Sequence, residues 1–472
     1  MVAMRVLMLV EDTRPVVEAA ASVSLAMSPS PKPPVQSAAG PLKLSKLPKE
    51  MRLDANFLPV PLLGDSAAQS LSAAGLFAMA PGPKTLGTDA YVVRGTIDAG
   101  DLDAITKSTS GPGGEPRVFA DPGIASSPVT CGGTPPVGNA TDVERLLQVG
   151  RLRRLGMDGE GVALAIVDNG INLDHLRSRG LLPRLNFHAS WTPQVAVQPG
   201  AAPVDHGTMC AYDALLSAPN ATLLDYAILR STRRGGSVMD GVLSDAVQAY
   251  GVLLRLMMLP EEERFFHSLV VSNSWGMFHP DWDFPAGHPG RYFDNPLHPF
   301  NRVVSSLANA GADILFAAGN CGPTCPDGRC LPIPTNQADR RISGANSHPD
   351  VLTVAGVDTQ RNLVGYSSHG PGALSHDKPD LAGYTHFLGS EAFGAGQPDS
   401  GTSTACPVAA GVVAALRSAY PYVSGNINRQ PAQIRSYLRQ TATKTGTAGW
   451  DAQFGHGIID CAQFDMAGAV LK

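Results

Sequence analysis

Four continuous apolar runs in the last two thirds of the chain constrain its fold more than any other feature. Stretches with helical periodicity, such as 240–257 and 302–310, lie between the runs. Strands that are apolar on both sides and alternate with helices are typical of a parallel sheet covered on both faces. The runs are 162–167, 269–271, 314–317 and 351–354. We therefore predict an α/β fold from about residue 141 onward, with a doubly wound, mostly parallel sheet and helices on both faces.

The first 121 residues follow a different pattern and are predicted to form a small N-terminal α+β region. Apolar runs at 4–10, 91–95 and 117–120 favour strands, and 98–105 favours a short helix. A Pro/Ser-rich stretch at 28–42 is typical of a linker. The predicted organisation is thus an N-terminal region at 1–121, a second linker at 122–140 and a main domain at 141–472.

Charge and hydropathy exclude several classes of partner. The 472 residues carry a net charge of −5, which argues against nucleic-acid binding through a strong positive field. No stretch reaches the ~20 apolar residues that a membrane-spanning helix needs, so we expect no membrane partner. The N-terminal apolar run ends at Glu11, too early for a secretory signal peptide. We read it as a strand, which favours a cytoplasmic location and leaves secretion open.

Four polar residues near these runs could supply the groups of one active site, since ligands bind at the carboxyl ends of parallel strands. Asp168 ends the first run and Asn320 follows the third. His206 precedes a helical stretch, and Ser403 precedes the apolar helix 409–420. Taken singly, each is commonly a turn or capping residue. Together they supply the acid, base, nucleophile and oxyanion donor that acyl transfer requires.

The motifs around these residues carry a family resemblance. They read VALAIVDNGI, DHGTMCA, SNSWG, AAGN and SGTSTACPVAAG, in that order, with FGHGIID near the C-terminus. Through these motifs the chain resembles the subtilisin-like serine proteases (subtilases) over about residues 140–466. The order of the candidate residues along the chain, Asp, His, Ser, is also that of subtilisin. The resemblance implies a subtilisin-like fold and a serine endopeptidase acting on a polypeptide substrate. It implies no required cofactor; many subtilases bind calcium, but we assign no metal ligands here.

The resemblance also implies roles for individual residues. Asp168, His206 and Ser403 match the catalytic triad, and Asn320 matches the side chain that forms the oxyanion hole with the Ser403 backbone N–H. The residues expected to bind substrate are Ser274, Trp275 and Gly276 on an edge strand, and Ala317, Ala318 and Gly319 in a wall of the specificity pocket. Trp275 is bulkier than the family's usual residue and is expected to narrow or re-line the cleft. Cys406 departs from the usual alanine and is expected to confer sensitivity to thiol reagents.

Two alternatives stay open at this point. Many subtilases carry an α+β propeptide, and residues 91–120 resemble the end of such a unit, so we expect an intramolecular inhibitory segment; a permanent accessory domain is the alternative. For the whole chain, the alternative function is a catalytically silent subtilase-like domain that binds peptides. The presence of all four catalytic residues opposes it.

Three cysteines lie close behind Asn320, at positions 321, 325 and 330. A local disulfide, free thiols and metal ligation are all compatible with this spacing. A structural zinc site needs four ligands, and no fourth is evident nearby.

Overall fold

The computed structural model describes residues 3–10, 47–63, 88–111, 114–126, 134–193, 198–230, 239–446 and 449–471. The linker predicted at 28–42 lies outside these ranges, as do residues 16–23, whose apolar spacing favours a helix.

The N-terminal region is a five-stranded antiparallel sheet with one helix. Its elements are β1 (Ala3–Val10), β2 (Arg52–Leu53), β3 (Val60–Leu63), β4 (Thr88–Asp98), α1 (Leu102–Thr109) and β5 (Val118–Ala120). The strand order is β2-β4-β1-β5, and β3 also pairs with β4. The three predicted strands are confirmed. The predicted helix begins later than expected, because β4 continues to Asp98 and a short 3-10 helix, Ala99–Asp101, intervenes.

A seven-stranded sheet with only parallel pairings forms the centre of the molecule. The remaining strands are β6 (Gly123–Ala125), β7 (Val162–Asp168), β8 (Arg184–Leu185), β9 (Thr222–Ala227), β10 (Asp240–Val242), β11 (Ser268–Asn273), β12 (Asp313–Ala317), β13 (Leu352–Val357) and β14 (Leu381–Tyr384). The order in the large sheet is β14-β13-β12-β11-β7-β9-β8, while β6 and β10 form a separate antiparallel pair. The predicted parallel α/β sheet is therefore confirmed.

The central strands are buried on both faces, which explains their continuous apolar sequences. In β7, Leu164 and Ile166 belong to one hydrophobic cluster and Ala165 and Val167 to another. Successive side chains of a strand point to opposite faces, so each face needs its own apolar cover. One such cover includes residues of the N-terminal sheet, among them Leu7 of β1.

Eight helices of the described main domain surround this sheet. They are α2 (Ala140–Leu146), α3 (Val149–Arg154), α4 (Leu173–Ser178), α5 (His206–Leu215), α6 (Leu243–Met258), α7 (Pro299–Asn309), α8 (Thr402–Ala419) and α9 (Pro431–Thr441). Residues 143–155, whose apolar spacing favours one helix, lie in two helices instead, because Gln148 between them has a left-handed φ of 54°. The helix expected from residue 240 starts at Leu243, and residues 240–242 form β10 instead. No described helix is both long and apolar enough to cross a bilayer.

Helix α8 matters most for the site because it lies under the carboxyl ends of the strands and starts at Thr402. Pro407 lies in the second turn of α8. Because proline has no N–H, the Ser403 carbonyl loses its usual helical partner four residues on. Ser274 Oγ donates to that carbonyl at 2.9 Å instead. The helix start that carries Ser403 is thereby tied to the end of β11.

Candidate active site

Asp168 and His206 are in direct contact beneath the protein surface. Asp168 ends β7, and His206 is the first residue of α5. His206 Nδ1 lies 2.9 Å and 3.0 Å from the two carboxylate oxygens, and the two side chains are 1% and 0% exposed. A carboxylate can only accept hydrogen bonds, so Nδ1 carries the ring proton. This contact leaves Nε2 as the basic nitrogen.

Two further contacts fix this pair. The Asp205 side chain accepts a hydrogen bond from the His206 backbone N–H and caps α5. Asn169 Oδ1 accepts from the Gly207 N–H at 2.8 Å and so joins the end of β7 to the start of α5. A side-chain acceptor for the free N–H groups at a helix start contributes about 1 kcal/mol. The residue after the aspartate therefore positions the histidine helix as well as forming a turn.

Ser403 lies in the first turn of α8, beside the end of β11. Its Oγ donates to the Ser274 carbonyl at 3.3 Å. His206 Nε2 finds no hydrogen-bond partner among the described residues. The hydrogen bond between Ser403 and His206 that the sequence led us to expect is thus not formed in this structure. The two residues are nevertheless neighbours of one thiol, since Cys210 Sγ lies 3.7 Å from His206 Nδ1 and 3.5 Å from the Ser403 carbonyl.

Asn320 is held so that its amide faces the start of α8. Its Oδ1 accepts from the Thr402 N–H at 2.9 Å and from Thr402 Oγ1 at 3.0 Å. Gly401, the N-cap of α8, has φ +85°, and a Cβ built there would lie 3.1 Å from Asn320 Nδ2 and 3.4 Å from the Ser403 nitrogen. These two nitrogens therefore border the same small space. Asn320 Nδ2 makes no hydrogen bond within the described part of the chain.

A cavity of about 350 Å³ adjoins these groups. Asn320 and Ser403 are among the residues that line it. All six residues predicted to bind substrate also line it, namely Ser274, Trp275, Gly276, Ala317, Ala318 and Gly319. Asp168 and His206 do not line it, which agrees with their burial. The cavity offers a side-chain pocket next to the proposed nucleophile.

Of the two effects expected of Trp275, narrowing or re-lining the cleft, narrowing is wrong, whereas Trp275 is among the residues that line the cavity. Its side chain packs against Phe300 and Phe316, with ring centroids 5.7 Å and 5.3 Å away. Trp275 is 2% exposed and belongs to the hydrophobic core on that side of the sheet. The bulk of the indole therefore fills the interior.

The cysteines behave differently from one another. Cys321 and Cys330 form a disulfide, and Cys325 is disulfide-bonded as well. Local disulfide formation is therefore the alternative that holds, and metal ligation by these three residues is excluded. Cys406 is fully buried, and burial raises the pKa of its thiol to about 12. Since the thiolate is the reactive form, the expected sensitivity of Cys406 to thiol reagents is not supported.

One cluster in the described residues has a donor set that metals use, and it belongs to the site itself. Ligand atoms of Asp168, His206 and Cys210 lie within 4.8 Å of one another. Burial raises the pKa of the Cys210 thiol well above its usual value, and the nearby Asp168 charge adds to this effect. Here Nδ1 carries a proton toward Asp168, and the thiol is neutral. A cation could bind only by displacing both protons.

A pair of buried carboxyl groups connects the histidine helix with the segment before Ser403. Asp213 lies on α5, and Asp399 accepts hydrogen bonds from the backbone N–H and hydroxyl of Ser390. Burial and the neighbouring carboxyl raise the pKa of Asp213 well above its usual value. Burial likewise raises the pKa of Asp399 to about 6. Two neighbouring buried carboxyl groups are both protonated at low pH and repel each other when both ionise, so ionisation of the pair is opposed as the pH rises.

The cleft beside the cavity already contains a strand of the same chain. Ala125 of β6 exchanges two hydrogen bonds of 3.0 Å with Gly276, in an antiparallel bridge. On its other side β6 pairs with β10, in the register Asp240–Ala125. Ser126, which follows β6, places its Oγ 3.3 Å from His206 Nδ1. The stretch 122–140, predicted to be a linker, thus contributes the strand β6, which lies between Gly276 and β10.

Several of these residues escaped the sequence interpretation. Cys210 could have been found, because it follows His206 by four residues on one helix and shares its face. Thr402 borders the predicted nucleophile but carries no motif role. Ser126 and Asp240 gave no local signal, because their relevance depends on strand pairing between distant parts of the chain.

Comparisons with known proteins point to one protein family. The model of the family described as "Subtilase family" matches residues 159–457. The human membrane-bound transcription factor site-1 protease is 27% identical over 331 residues, which cover 67% of this chain and 26% of that protein. Subtilisin-like protease SBT6.1 of Arabidopsis thaliana is 26% identical over 337 residues, covering 68% and 27%. Human proprotein convertase subtilisin/kexin type 4 is 24% identical over 325 residues, covering 65% and 38%. The matched region thus spans between about a quarter and two fifths of the length of these relatives.

Proposed function

Because the chain belongs to the subtilase family, we propose that it is a serine endopeptidase that hydrolyses peptide bonds through an acyl-enzyme on Ser403. Family membership supports serine-type peptidase activity in general. The finer assignment depends on one observation, the contact between Asp168 and His206 Nδ1 beside the helix start that bears Ser403.

In the proposed reaction, Ser403 Oγ leaves the Ser274 carbonyl and donates its proton to His206 Nε2 as it attacks the scissile carbonyl. Asp168 stabilises the imidazolium that forms and holds the ring in the required tautomer. The Ser403 N–H and Asn320 Nδ2 donate to the developing oxyanion, aided by the positive end of the α8 dipole. His206 then protonates the leaving amine, and water repeats the sequence on the acyl-enzyme. No cofactor is needed for these steps.

We also propose that the N-terminal region is an intramolecular inhibitor. The support is the antiparallel pairing of β6 with Gly276 and β10, because an extended substrate adds to a sheet edge in the same way. Arg94 of the N-terminal sheet holds this arrangement by donating to Ser244 and Asp245 of α6, at 3.0 Å each. Asp121, just before β6, accepts from the Ser244 N–H and hydroxyl.

Active-site labelling tests the proposed nucleophile. We expect a fluorophosphonate probe to label the wild-type chain, and Ser403→Ala to abolish labelling. Ser418→Ala, which changes a serine at the far end of the same helix, serves as the matched control and should be labelled normally. Labelling that persists in Ser403→Ala would contradict the assignment. Digestion of a peptide library separates an active enzyme from a silent peptide-binding domain: wild type should cleave the peptides and Ser403→Ala should not. Adding EDTA should not reduce cleavage by wild type.

Intact-mass analysis tests the inhibitor proposal. If the N-terminal region is removed by self-cleavage, active wild type should be shorter than Ser403→Ala produced in parallel. Equal, full-length masses in a sample that digests peptides would contradict this proposal and favour a permanent accessory domain.

The disulfide between Cys321 and Cys330 bears on the compartment. Since disulfides persist in oxidising surroundings, we propose that the chain acts in an oxidising compartment rather than the cytoplasm favoured by its N-terminus. Thiol titration under denaturing conditions of protein purified without reductant from its native host tests this. Titration of all seven cysteines as free thiols would oppose the proposal.

A further inference from the structure

Three side chains form a bridge across the cleft beside β6. Arg329 Nη1 lies 3.4 Å from Asp240 Oδ1, and the Arg329 guanidinium lies 4.1 Å from the centroid of the Phe278 ring. Asp240 belongs to β10, whereas Phe278 follows Gly276 by two residues. Arg329 therefore contacts both edges between which β6 runs. We refer to Asp240, Arg329 and Phe278 as the clasp.

Strand pairing fixes the side of β6 that the clasp covers. Ala125 is paired directly with Asp240 on one side and with Gly276 on the other. Directly opposed residues of antiparallel strands project to the same face, so the Asp240 and Ala125 side chains share a face. The two outer backbones are about 10 Å apart, the sum of one wide and one narrow pair. Through its contacts with Asp240 and Phe278, Arg329 joins the two edges on the face that Asp240 shares with the Ala125 side chain, and Ala125 is only 1% exposed.

The same pairing relates the clasp to the scissile bond of a substrate. A substrate residue opposite Ser274 would lie next to Ser403, because Ser403 Oγ is 3.3 Å from the Ser274 carbonyl. That residue provides the scissile carbonyl and is called P1. The residue opposite Gly276 is two positions earlier along the antiparallel substrate, and it is P3. Ala125 thus occupies the place of a P3 residue.

We propose that the clasp closes over the P3 residue of a bound polypeptide and selects small side chains there, such as Ala, Gly or Ser. This inference rests on the proposed endopeptidase function. The exposed ion pair contributes little stability, so the effect of the clasp is steric. A large P3 side chain has to displace Arg329 from Asp240 and from the Phe278 ring before the strand can pair with both edges.

Arg329 is held firmly enough to act in this way. Its backbone N–H and Nε both donate to Asp327 Oδ1, at 2.8 Å and 3.1 Å. The Asp327 N–H donates to the Asn320 carbonyl at 2.8 Å. Cys330, the next residue, is disulfide-bonded to Cys321, the residue after Asn320. The clasp loop is therefore anchored covalently beside the proposed oxyanion hole.

A peptide-library digest with mass-spectrometric identification of cleavage sites tests the proposal. The full chain, after any processing it performs on itself, is compared with Arg329→Ala and with Asp240→Asn. The second variant keeps the size of the side chain while removing the ion pair. Arg184→Ala is the matched control, because Arg184 lies on the distant edge strand β8 and forms an exposed ion pair with Glu160.

We expect wild type and Arg184→Ala to cleave sites with Phe, Leu or Trp at P3 at least about fivefold less often than sites with Ala at P3. This is the effect expected when a large side chain is inserted into space that is already filled. Arg329→Ala should remove most of this discrimination and Asp240→Asn part of it, with P1 preferences unchanged. Cleavage by all four proteins with the same P3 distribution would overturn the clasp and leave the endopeptidase proposal standing. Absence of cleavage by every protein, wild type included, would overturn the proposed function and the clasp together.

Discussion

Replacing Asn320 by aspartate removes the proposed oxyanion donor while keeping the contacts that hold the side chain. Oδ1 accepts two hydrogen bonds from Thr402, at 2.9 Å and 3.0 Å, and an aspartate oxygen can accept both. The other oxygen then replaces Nδ2, which lies 3.1 Å from the space that a Cβ on Gly401 would fill. An acceptor with negative charge would thus face the position where the oxyanion develops.

The magnitude follows from the loss of one donor plus an added repulsion. Removing the oxyanion-hole asparagine of subtilisin lowers kcat about 100- to 1,000-fold, or about 3–4 kcal/mol of transition-state stabilisation. We expect Asn320→Ala to fall in that range and Asn320→Asp to lose at least about 1,000-fold. KM should change little, because the interaction is made only in the transition state.

Steady-state hydrolysis of one peptide substrate, with active sites counted by fluorophosphonate titration of wild type, measures both constants. Thr402→Val is the matched control: it removes one hydrogen bond to Oδ1 but leaves the donor, so kcat should fall by about tenfold or less. Thermal unfolding of each variant verifies folding. A folded Asn320→Asp protein that retains kcat within threefold of wild type would refute the oxyanion assignment.

Three other substitutions test the architecture of the site and core. Gly401→Ala should reduce kcat at least tenfold, because φ is +85° there and the new Cβ would crowd the two oxyanion donors; an unchanged kcat would contradict this. Asp213→Asn should raise the free energy of unfolding at pH 8, by at least about 1 kcal/mol, and raise it less at pH 4, as measured by urea unfolding. The reason is that burial and Asp399 raise the pKa of Asp213, so the stability of its protonated form is fully present below about pH 4 and is lost as the pH rises toward the raised pKa, a loss that asparagine does not have; a gain at pH 4 as large as that at pH 8 would oppose this assignment. Asp380→Asn should lower the free energy of unfolding by about 3–5 kcal/mol in the same assay, because the buried Lys378 ammonium, 2.7 Å from the carboxylate, would keep no such counter-ion. A decrease below about 1 kcal/mol would contradict the importance of that pair.

Much of the candidate site could be predicted because its residues lie next to apolar runs that are visible in the sequence. Asp168 ends a continuous apolar run, and Asn320 follows another by three residues. In a parallel sheet all such strand ends meet at one edge, so the chain order alone brings these residues to the same region. The cysteine spacing, by contrast, left three chemistries open, and only the fold selected the disulfide between Cys321 and Cys330.

The sequence by itself determined the parallel α/β sheet and the edge at which a candidate site could lie, because periodicity and motifs are properties of neighbouring residues. Only the tertiary structure decided that Trp275 faces the core, that Ser403 Oγ donates to the Ser274 carbonyl, and that Arg329 contacts Asp240, the residue paired with Ala125. These outcomes depend on contacts between residues that are distant along the chain. Local preferences do not encode such contacts, since they depend on which surfaces remain to be paired once the sheet and its helices have packed.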